Sequence, residues 1–90
     1  MRYHLRYSSS AHHALKHLSR EEALKCVAEL QERAEEPDPR IYVKRLQGAG
    51  DPPFNSLRIG HYRAVMSIPD EVMIIHVIDG GHRGSVYRKV

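Results

Sequence analysis

The chain has 90 residues, 41% hydrophobic and 28% charged, which allows one domain with one modest core and excludes a second. Its single cysteine, Cys26, excludes an internal disulfide, and its longest apolar stretch, Val72 to Ile78, is interrupted by His76 and too short to cross a bilayer. The net charge of +3 is mild and does not by itself point to nucleic acid.

At the N-terminus, Tyr3, Leu5 and Tyr7 alternate with His4 and Arg6, which predicts a short strand rather than the apolar run of a signal peptide. Ser8, Ser9 and Ser10 break it and can cap a helix. Ala11, Ala14, Leu15 and Leu18 follow at helical spacing. Ser19 with Glu22 three residues on is a capping-box signature for a second helix. Ala23, Val27, Leu30 and Ala34 share one face of it, with Leu24 and Cys26 alongside, and Pro37 and Pro39 stop it. Residues 10–36 therefore read as a hairpin of two antiparallel helices. Cys26 on an apolar helix face reads as a buried reduced thiol, which suits the cytoplasm.

Ile41 to Leu46 reads as extended, and Gln47 to Pro53 as a loop rich in glycine and proline. Asn55 to Ile59 and Tyr62 to Ile68 read as strands joined by a two-residue turn, Gly60-His61, of type II′ with glycine first. Pro69-Asp70-Glu71 turns the chain again. Val72 to Ile78 is a central strand by its β-branched content, Asp79-Gly80-Gly81 ends it, and Arg83 to Lys89 is a short terminal strand or tail. A strand, two helices and then a meander of strands make an α+β domain, with helices on one face of a mostly antiparallel sheet.

The charges are unevenly placed. Residues 1–40 balance seven Lys/Arg with seven Asp/Glu, whereas residues 41–90 set seven Lys/Arg against Asp51, Asp70, Glu71 and Asp79. The proposed turn makes Arg58 face Arg63, and directly opposed residues of an antiparallel pair bring like charges close. Such a pair calls for an anion, a protein carboxylate or a ligand phosphate, unless both side chains splay into water or one pairs with Asp70, Asp79 or Glu71. His13 and His17 stand at ligand spacing on a helix with no cysteine or acidic partner in a metal motif, so no metal or other cofactor is expected. No phosphate-cradling glycine loop, nucleophile elbow or CxxC pair occurs.

Three segments in order, Val43-Lys44-Arg45-Leu46-Gln47-Gly48, Leu57-Arg58-Ile59-Gly60-His61-Tyr62-Arg63 and His82-Arg83-Gly84-Ser85-Val86-Tyr87, resemble motifs of the RelE/ParE toxin superfamily. The likeness covers nearly the whole chain, which is similar to the short archaeal RelE proteins in ending just after the tyrosine. The resemblance implies one RelE-like domain over residues 1–90. It implies a type II toxin with a cognate antitoxin, which enters the ribosome and cuts messenger RNA without a metal. The 2′-hydroxyl attacks the adjacent phosphate. Carried over by position, Arg63, Arg83 and Tyr87 are catalytic, and Lys44, Arg45 and Arg58 bind phosphate. Arg45 and Gln47 stand where some relatives carry lysines, and arginine stays protonated, so either His82, His61 or Tyr87 is the base or catalysis rests on electrostatics and alignment of the substrate by the ribosome. A gyrase inhibitor of the ParE kind, or a catalytically weak RNA-binding relative, uses the same scaffold.

Overall fold

The structure, a computed structural model, describes residues 3–46 and 53–79. Strand β1 (His4–Tyr7) leads into helices α1 (Ser9–Lys16) and α2 (Arg20–Ala34). A 3₁₀ turn (Pro39–Tyr42) and the two-residue strand β2 (Lys44–Arg45) follow. Strands β3 (Phe54–Ile59), β4 (Tyr62–Ser67) and β5 (Val72–Asp79) complete the described residues.

Both helices start where hydroxyl caps stand. The Ser8 Oγ accepts from the Ala11 N–H at 3.1 Å, and the Ser19 Oγ from the Glu22 N–H at 3.1 Å. Ser8 also donates to the His76 carbonyl at 2.9 Å, so the cap fastens α1 to β5 as well. Glu35 ends α2 before Pro37 can break it.

The five strands form one sheet in the order β1-β5-β4-β3-β2. Three of its four strand pairs are antiparallel, and β1 joins β5 in parallel. Leu57, Ile59, Ala64, Met66, Met73, Ile75 and Ile78 are buried together with Ala11, Cys26, Leu30 and Ala34 of the helices. These residues form the core. The helices thus cover one face of the sheet, and alternation sends Ser56, Arg58, Arg63 and Val65 to the other. At the β3–β4 turn Gly60 takes φ of 59° and His61 keeps a negative φ, as a type II′ turn needs.

One element differs from its sequence reading. Ile41 and Tyr42 are not extended but belong to the 3₁₀ turn, and only Lys44 and Arg45 pair with β3. Pro39 sets a helical φ, and the Asp38 carboxylate accepts from the Arg40 N–H at 3.2 Å. The Arg40 guanidinium then donates to the Ile68 carbonyl at 2.9 Å and to the Tyr3 hydroxyl at 3.1 Å. These bonds hold the segment against the β4–β5 turn and the start of β1. No helix among the described residues is long and apolar enough to cross a membrane.

Candidate functional site

Two strand pairs build the site. In the β3–β4 pair Arg58 stands opposite Arg63, the register that a two-residue turn at Gly60-His61 requires. In the β2–β3 pair Lys44 stands opposite Ser56, two residues from Arg58 on the same pleat. Lys44, Arg58 and Arg63 therefore share the face away from the helices. With Tyr42, Leu46 and Ser56 they line a depression of about 440 Å³. On the next strand Asp79, only 5% exposed, stands opposite Arg63. A carboxylate in that position offsets part of the repulsion between the two arginines, and the exposed Arg58 remains at the mouth of the hollow.

The other sequence candidates divide. Arg45 pairs with Asn55, so it lies on the pleat of Leu57 and Ile59 and does not line the depression. The reason is the two-residue period of the strand: the neighbour of Lys44 must point the other way. His61 is likewise apart from the arginines. It lines a separate small cavity of about 60 Å³ on the helix side, with Glu22, Lys25, Cys26 and Tyr62. His82, Arg83 and Tyr87 lie outside the described residues.

Around that small cavity the titrations are shifted. The hydrogen bond from the Tyr62 hydroxyl holds the Glu22 carboxyl below the usual carboxylate range. The same bond pushes the Tyr62 phenol up. Burial pushes up the Cys26 thiol, which disfavours the reactive thiolate, and away from this cavity, on β1, it also pushes up the Tyr7 phenol.

A further cluster had no clear sequence signal. Between Val65–Val77 and Met66–Ile75 the β4–β5 register shifts, leaving His76 as the extra residue. Its Nε2 lies 2.8 Å from the Ser67 Oγ, and its ring meets Phe54 edge-on at 5.1 Å. The only trace in the sequence is one histidine inside an apolar run. On α1 the Nε2 atoms of His13 and His17 are 2.9 Å apart. Among the described residues no three or more His, Cys, Asp or Glu gather as a metal site would need.

No protein-family model matches the chain, and no curated protein sequence matches it. Solved structures do. The RelE–RelB complex from the archaeon Pyrococcus horikoshii contains a chain 26% identical, with a TM-score of 0.74 over 92% of this chain and 99% of that one. The RelBE2 toxin–antitoxin complex of Mycobacterium tuberculosis contains one 26% identical, with a TM-score of 0.73 over 88% and 98%. The isolated RelE toxin of E. coli, 22% identical, shares the fold with a TM-score of 0.70 over 97% and 93%. At 26% identity over nearly the full length of an archaeal RelE and of a mycobacterial toxin-complex chain, this chain is similar to the RelE toxins and has the fold of the RelE/ParE superfamily.

Proposed function

We propose that this chain is the toxin of a type II toxin–antitoxin pair and that it cuts messenger RNA on the ribosome. The observation that carries the reading is the opposition of Arg58 and Arg63 beside Lys44 in one hollow. Asp79 offsets part of this crowding from the next strand, and an RNA phosphate is an anion that suits the positive charge left over. The relatives from P. horikoshii and M. tuberculosis stand in complexes with RelB partners, which supports an antitoxin for this chain too.

In this mechanism the 2′-hydroxyl of the nucleotide attacks the neighbouring phosphorus, and the 5′-oxygen leaves. The products are a 2′,3′-cyclic phosphate and a 5′-hydroxyl. The phosphorane between them carries more negative charge than the ground state. Guanidinium groups set in advance therefore lower the barrier rather than merely tightening binding. Arg63 and Arg83 take that role, Lys44 and Arg58 hold the flanking phosphate, and Tyr87 orients the nucleotide. His61, on the helix side with Glu22, is poorly placed to be the base. His82 and Tyr87 remain the candidates to receive the 2′-hydroxyl proton. A ribosomal substrate implies the cytoplasm.

The test is in vitro translation with mapping of the message ends. Cuts in phase with the codons, ending in cyclic phosphate, are the expected result. Gyrase inhibition without cutting would replace the reading with a ParE-like one, and ribosome binding without cutting would reduce it to a binding function.

A further inference from the structure

We infer that Tyr42 is a stacking platform for one base of the bound RNA, next to the flanking phosphate that Lys44 and Arg58 hold; this rests on the function proposed above. Tyr42 belongs to the 3₁₀ turn and lines the same hollow as Lys44, Arg58 and Arg63. It is 41% exposed, although aromatic rings in a domain this small are valuable to the core. Its neighbour Ile41 is exposed as well and widens the apolar rim of the hollow.

The ring is not loose. The guanidinium carbon of Arg33 lies 4.5 Å from its centroid, and its hydroxyl donates to the Glu36 carboxylate at 3.2 Å. Arg33 is in turn held by Glu29 at 3.1 Å and by Glu36 at 3.4 Å. The C-terminal end of α2 thus fixes the orientation of an exposed aromatic, and little side-chain entropy is left to lose on binding. A fixed ring beside three cations is the pairing that single-stranded nucleic acid needs, with phosphates on the cations and a base on the ring. The charge of the hollow selects this occupant over an apolar peptide. Every base offers a π-face, so the platform tolerates any codon and adds affinity rather than sequence choice.

The experiment uses ribosomes programmed with a message carrying 2-aminopurine at single positions of the A-site codon. The nucleotide at the cut is 2′-O-methylated so that no cutting occurs. The intact protein quenches the fluorophore at one position. Tyr42→Phe keeps that quenching, while Tyr42→Ala and Tyr42→Leu lose it and bind about tenfold more weakly. An abasic nucleotide at the quenched position weakens the parent by the same factor and leaves Tyr42→Ala unchanged, a comparison that stands even if one variant folds poorly. Quenching by Tyr42→Ala equal to that of the parent, with Arg63→Ala losing binding, overturns the platform and leaves the nuclease reading intact. Loss of quenching in Tyr42→Phe as well overturns it in favour of a structural role for the Glu36 bond. Loss of affinity for a protein partner, with quenching unchanged, assigns the ring to that partner and also overturns it. Failure of the parent protein to bind programmed ribosomes overturns the function reading itself.

Discussion

Arg58 and Arg63 face each other across the β3–β4 hairpin on the side of the sheet away from the helices, and Asp79 faces Arg63 from β5. The three form a row, two cations and then one buried carboxylate. Such an arrangement offsets part of the arginine charge within the protein and leaves the hollow net positive.

Asp79→Asn keeps the shape and removes the charge from that row. We expect a loss of about 1–3 kcal/mol in stability, read from urea unfolding, because a buried acceptor becomes poorer beside a guanidinium. The same change raises RNA affinity at low salt. Unaltered stability would mean that Asp79 does not counter the arginine charge.

Arg63→Ala should slow ribosome-dependent cleavage by about 2–4 kcal/mol of transition-state stabilisation, by analogy with losing one preset anion donor. Arg83→Ala should cost a similar amount. Arg63→Lys should recover only part, since lysine keeps the charge and loses the planar fork. Arg45→Ala, on the opposite pleat, should change cleavage much less than Arg63→Ala. Single-turnover rates at matched ribosome occupancy decide this, and equal losses at Arg45 and Arg63 would defeat the facial assignment.

The Tyr7 hydroxyl is buried with no hydrogen-bond partner among the described residues. An unpaired buried hydroxyl costs free energy that Phe does not incur. Tyr7→Phe should therefore stabilise the protein by about 1 kcal/mol in denaturant unfolding. A destabilisation of that size would show that the hydroxyl has a partner.

Glu22 and Tyr62 predict opposite limbs of a pH profile. The carboxyl titrates low in the folded chain, so its contribution is present above the usual carboxylate range and fades as pH falls through the folded value. The phenol titrates high, so its contribution is present below the usual tyrosine value and is lost as pH rises through the folded one. In Tyr62→Phe the Glu22 titration followed by NMR should move up toward the ordinary range. No movement would show that the hydrogen bond is not its cause.

A cognate antitoxin should raise the melting temperature in proportion to the logarithm of its concentration above Kd. The motivation is the RelB partner of the archaeal relative. A melting curve unchanged by saturating antitoxin would remove that partner.

What the sequence determined by itself was local. Ser8 and Ser19 cap helices because a hydroxyl reaches the N–H three residues on, whatever surrounds it. Gly60-His61 set the arginine register because a two-residue loop leaves the strands no other pairing. The tertiary structure alone decided what depends on distant partners. β1 runs parallel to β5, nearly seventy residues away, and no local pattern encodes a parallel neighbour. Arg40 bonds the Ile68 carbonyl and holds the segment before β2 against the distant β4–β5 turn, where alternation alone suggested an extended strand. Which of Lys44 and Arg45 faces the hollow was open until β2 found its register on β3. One residue of offset puts adjacent cations on opposite faces, and only pairing fixes that offset.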